Sequence, residues 1–132
     1  MATVPRLPHA FLDGVRHFNA GQYYEAHEVF EELLDLVEAD RRWDLLVALI
    51  QVAVGYHKWA SNHAGGKVML EKGLAKLVPF PDDAGGVAVA ALRARVAADA
   101  AALAAGSPAA SILAVRPRIA LIREDWSENQ HR

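Results

Sequence analysis

The chain of 132 residues contains no cysteine, which removes disulfides, thiolate metal sites, iron–sulfur clusters and a cysteine nucleophile together. Its chemistry has to come from histidine and carboxylate side chains. An excess of charge of either sign is missing too: 14 Lys and Arg against 16 Asp and Glu leave a net charge of −2, so no overall field draws the protein to nucleic acid or to an anionic membrane. Long apolar runs are absent as well. The longest, Leu45 to Tyr56, is interrupted by Gln51 and falls short of the roughly 20 residues that cross a bilayer. Met1 to Pro8 lacks the apolar core of a signal peptide. A cytoplasmic protein with neither nucleic-acid nor membrane partners is the expectation.

A period-two strand pattern is also missing, and the apolar spacing is helical nearly throughout. With 53% hydrophobic residues, the chain has the size and content of one compact all-α domain spanning residues 1–132. The spacing predicts a first helix from about Pro8 to Phe18, with Ala10, Phe11, Val15 and Phe18 on one face. Asn19-Ala20-Gly21 then supplies residues that tolerate the left-handed conformation and end it. A second helix from about Gln22 carries Tyr23, Ala26, Phe30, Leu33, Leu34 and Val37 as a stripe, leaving Glu25, Glu28, Glu32 and Asp35 as an exposed acidic face. Glu38 to Arg42 forms the turn into a third helix, Trp43 to Ser61, with Leu46, Ile50, Ala53 and His57 in register.

Asn62 to Gly66 breaks the pattern, and Lys67 to Leu77 resumes it before Pro79-Phe80-Pro81. These four helices read as two αα-hairpins over residues 8–78. A shift of about 40 residues, within the range of helical repeats, sets Ala26–Leu34 over Gly66–Leu74, as in stacked hairpins of the tetratricopeptide (TPR-like) type. Asp82-Asp83 then suggests a cap for an alanine-rich fifth helix, Ala84 to Ala105, with a narrow seam of Val89, Leu92, Val96 and Leu103 and a stop at Gly106. Ser107-Pro108 suggests the start of a short sixth helix ending near Val115. Residues 116–122 should be extended and packed on the body, and Glu124 to Arg132 frayed. The expectation is thus a bundle of five to six helices.

One stretch has pointed chemistry. His27 and Glu31, at i and i+4, leave the same helical face and can close on one metal ion or share one proton. A third ligand must come from another helix, and His57, on the apolar face of the third, is the best placed. His27, Glu31 and His57 together form a nitrogen and oxygen donor set suited to a divalent metal such as Zn, Mn, Fe or Ni, with Glu28 as a candidate catalytic base. The competing structural reading makes His27 a core residue hydrogen-bonded to Glu31. Tyr23, Tyr24, Trp43, Tyr56 and Trp59 have the spacing of core aromatics. Gly65-Gly66 reads as a helix-to-helix turn, since no strand or glycine-rich fingerprint precedes it.

The run Tyr23-Tyr24-Glu25-Ala26-His27-Glu28-Val29-Phe30-Glu31-Glu32-Leu33, then Leu49-Ile50-Gln51-Val52-Ala53 with Tyr56-His57, then Leu70-Glu71-Lys72-Gly73-Leu74, resembles a small bacterial and archaeal family called domain of unknown function 309. The resemblance covers roughly residues 11–78. That family's signature is a His, three residues, a Glu, two residues and an aromatic. His27 and Glu31 match it, and Leu34 stands at the aromatic position. The resemblance implies an all-helical fold and a suspected metal-binding motif without an established activity. It also places Gln51 and His57 in the second shared segment, facing the same site.

Two classes of function follow. In one, a metal or small ligand is held by His27, Glu31 and His57, with hydrolysis as the reaction a bound metal would support. In the other, the hairpins form a TPR-like module that presents a groove to a protein partner or to a second copy in a homo-oligomer, and the His–Glu pair is a buried polar tie.

Overall fold

A computed structural model describes residues 4–37 and 40–122. Among these residues the chain is all-α and contains no β-strand: seven α-helices and one 3-10 turn pack into a bundle around one continuous hydrophobic cluster running from Val4 to Ile119. None of the helices is long and apolar enough to cross a membrane.

Helix α1 (Phe11–Asn19) buries Phe11, Val15 and Phe18 and ends at Gly21, whose φ of +80° needs a residue without a Cβ. Helix α2 (Tyr23–Glu32) folds back on it and buries Tyr23, Ala26 and Phe30. The expected single helix to Val37 is broken at Leu33. There an i→i−3 bond from Leu33 N–H to the Phe30 carbonyl tightens the chain before a one-turn helix, α3 (Leu34–Val37). The tighter turn lets both Leu33 and Val37 reach the core. Glu38 and Ala39 of the following turn, and Glu124 to Arg132, lie outside the described residues.

Helix α4 (Arg41–Ala60) starts where the Asp40 carboxylate accepts a 2.7 Å hydrogen bond from Arg42 N–H. It buries Leu45, Leu46, Leu49, Val52, Ala53, Tyr56 and Trp59, more than one face, as befits a central helix packed against α2, α3 and α5. Its tightest neighbour is α5 (Gly66–Leu77). A Cβ on Gly55 would stand 2.9 Å from the Leu70 backbone nitrogen, and one on Gly73 2.6 Å from Val52 Cγ2, so glycine at these two positions sets how closely the helices approach.

The fifth expected helix starts later than its acidic residues suggested. Ala84–Gly86 form a 3-10 turn with Gly85 at φ +65°, and α6 runs from Val89 to Ala104. Asp83 makes no side-chain cap there, and Asp82 instead accepts from Arg93 at 3.4 Å. Val89, Leu92, Val96 and Ala100 face the core, and Gly106 at φ +84° ends the segment. The last helix, α7, is only Ala109–Ile112 and begins after Pro108, not at it.

Residues 116–120 form no helix or strand. Asn19 imitates a strand partner for this segment: its Nδ2 donates to the Ile119 carbonyl at 3.1 Å and its Oδ1 accepts from Ile119 N–H at 2.8 Å. Leu121 pairs with Val87 in an isolated bridge, and Ile119 is fully buried.

Candidate functional site

Consecutive residues on an α-helix point about 100° apart, and α2 and α4 use that rotation at the level where they cross. Tyr23 and Tyr56 turn inward, with ring centroids 5.4 Å apart and Phe18 edge-on to both at 5.2 and 5.9 Å. Their neighbours Tyr24 and His57 turn outward, also 5.4 Å apart, and Tyr24 meets the His27 ring at 4.8 Å. Val54, Lys58 and Ser61 join His57 at i, i+3, i+4 and i+7 spacing on α4. Together with His63 these residues enclose a cleft of about 300 Å³.

Hydrogen bonding sets the tautomer of two of the three imidazoles. His27 Nδ1 lies 2.5 Å from the Tyr24 carbonyl and His63 Nδ1 lies 2.6 Å from that of Ala64. A carbonyl can only accept, so in both rings Nδ1 carries a proton, and Nε2 is the nitrogen left to meet a ligand.

The expected trio is brought together in part. His27 and His57 line one cleft. Glu31 keeps its side chain 56% exposed, with Oε1 3.9 Å from His27 Nε2, beyond hydrogen-bonding range. The structural alternative, a core histidine bonded to Glu31, is therefore replaced by a partly exposed histidine bonded to the Tyr24 backbone. Glu28 is exposed and does not line the cleft. Among the described residues no group of three or more His, Asp or Glu side chains could hold a metal ion. His27 and Glu31 supply two donors without a third closing on them, so the residues as placed do not fit a metal centre, and no chemical step is derived through one.

Of the five aromatics with core spacing, Tyr23, Tyr56 and Trp59 are buried, whereas Tyr24 is 48% and Trp43 39% exposed. Glu25, Glu28, Glu32 and Asp35 form the exposed face expected of them. His63 and Lys58 were not anticipated. Lys58 carried a signal, being one turn from Val54 and Ser61 on the His57 face, but His63 sits in a turn where no periodicity operates.

Asp99 was missed as well. Only 4% exposed, it accepts from the Tyr56 hydroxyl at 2.5 Å and from Arg95 Nε at 2.7 Å, both on Oδ2. Arg95 continues to the Ile112 and Val115 carbonyls. The i, i+4 pair of charges in an alanine-rich helix was the available signal.

Burial and then the hydrogen bond to Asp99 raise the Tyr56 pKa far above the ordinary tyrosine value, and burial raises that of Tyr23. A folded-state pKa above the unfolded value of 10.0 means the folded state holds its proton more tightly. The stabilisation is complete below pH 10 and is lost above it. Urea midpoints measured with rising pH should hold steady up to that point. Stability should then fall by about 1.4 kcal/mol per pH unit for the Tyr56 hydroxyl, with its phenolate absorbance appearing only on unfolding, and the raised Tyr23 adds to the fall in the same direction. Ionisation of both in the folded protein would refute the burial argument.

The fold and cleft together define a small helical protein whose recognisable chemistry is an imidazole-rich slot between two crossing helices. Residues 11–70 match the model of a family described as Domain of unknown function (DUF309), and over that span, which contains α2, α4 and every lining residue of the slot, the chain resembles the family. No curated protein matches the chain.

Proposed function

We propose that the protein binds a small organic anion in the Tyr24–His27–His57 cleft. The observation that carries this reading is the character of the lining: one lysine, three histidines, a serine, a tyrosine and a valine, with no carboxylate among the described residues. In a chain whose acidic residues outnumber its basic ones, such a lining selects for negative charge. Lys58 supplies a fixed cation and Ser61 a hydroxyl donor. Tyr24 and Val54 supply the apolar wall for the body of the molecule. A volume at the lower end of the range for ligand pockets suits a compact acid.

The test is titration of the intact protein with benzoate and hexanoate, followed by amide chemical shifts. Saturable shifts centred on Tyr24, His27, His57 and Ser61 are expected. Lys58→Ala should weaken binding at least about tenfold, the equivalent of one lost charge-assisted hydrogen bond. His27→Ala should weaken it as well, and both variants should keep their stability because neither side chain is fully buried. Absence of saturable binding would overturn the reading. Near-stoichiometric Zn, Mn, Fe or Ni retained by chelator-free protein and lost in His27→Ala would replace it with the metal-centred one.

A further inference from the structure

His63 does not belong to the first cleft alone. The same residue lines a second and larger cleft, about 530 Å³, between the turn that joins α4 to α5 and the turn that joins α6 to α7. Asn62, His63 and Lys67 contribute from one side and Ser107 from the other, and Trp59 lines it too. Among the described residues no carboxylate lines this cleft either. Lys67 forms an ion pair with Glu71 at 2.9 Å, but both side chains are about half exposed, so the pair is solvated and weak and leaves the ammonium free to meet a ligand.

We infer that the cleft takes an elongated, two-headed anion: one acidic group lies beside Lys58 and His57, the chain passes His63, and a second acidic group lies beside Lys67 and Ser107. Two hollows share one imidazole, and each is lined by a lysine and a serine. Among the described residues no Asp or Glu lines either hollow, and that is the shared feature that a single molecule with charge at each end explains. This inference rests on the anion reading of the first cleft and specifies the class of its ligand.

The test compares hexanoate with straight-chain α,ω-dicarboxylates of increasing length on the full chain. Hexanoate should shift amides of the first cleft only. A dicarboxylate of matching length should shift the amides of His63–Lys67 and Gly106–Ala109 at the same midpoint and bind at least about tenfold tighter, because its second head engages at high effective concentration. Lys67→Ala should return that dicarboxylate to the affinity of hexanoate while leaving hexanoate unchanged. Hexanoate binding with no gain for any dicarboxylate, or a gain that survives Lys67→Ala, overturns the two-headed ligand alone. Failure of hexanoate to bind overturns it together with the anion reading.

Discussion

Replacing Asp99 by alanine is expected to destabilise the protein by about 3 kcal/mol, near the lower end of the range for breaking a buried charge pair, because Arg95 keeps some contact with water. For a chain of this length that corresponds to a Tm lowered by roughly 10 °C. The carboxylate accepts from Tyr56 on α4 and from Arg95 on its own helix. Its loss strands a buried hydroxyl and a guanidinium that also holds the Ile112 and Val115 carbonyls. Tyr56→Phe is the informative control: it removes one hydrogen bond and leaves the ion pair, so about 1 kcal/mol is expected. Equal losses in the two variants, read from urea denaturation, would show that the Arg95–Asp99 pair contributes nothing of its own.

Phe30→Ala should cost more, about 4 kcal/mol, as a large buried side chain whose site has little means of collapsing. Its ring is fully buried and stacks on Phe11 at 5.4 Å and 30°. It also presses on α1 at Gly14, where a Cβ would come within 2.3 Å of Phe30 Cε1. The α1–α2 turn of three residues keeps the two helices from closing over the gap. Phe30→Leu retains most of the volume and should lose much less. A loss under about 1 kcal/mol for the alanine variant would mean that α1 collapses into the space after all.

The parts of the fold legible in the sequence were those in which a 3.6-residue spacing reports burial directly. Phe11, Val15, Phe18, Ala26 and Phe30 are all buried on the faces their spacing assigned. The misreadings have separate causes. Asp82-Asp83 resembles a cap, but Gly85 and Gly86 adopt φ of +65° and +87°, a geometry no helix continues through, and the paired glycines were the stronger signal. The break at Leu33 has no marker among its neighbours, since Leu34 to Val37 continue the same apolar stripe.

In the site, His27 and His57 were legible because each sits on an apolar stripe. The i, i+4 spacing of His27 and Glu31 gave proximity but not orientation, and the Tyr24 carbonyl took the proton that Glu31 was expected to share. Tyr56 and Asp99 are 43 residues apart. Such a pair follows from the packing of α6 on the bundle, which local periodicity does not encode.

The two ring pairs at the α2–α4 crossing have a mechanical consequence. Tyr23–Tyr56 lies inside and Tyr24–His57 outside, each pair joined through a single peptide unit on either helix. The inner pair is wedged by Phe18 and moored by Asp99, so the core holds the spacing of α2 and α4 at the level of the outer rings. The slot therefore has a fixed gauge. A molecule that fits it encounters a finished surface, spends little free energy on rearrangement and exchanges without waiting for the protein to open. Moving α2 and α4 apart to admit a wider one would take a change in the buried tyrosines.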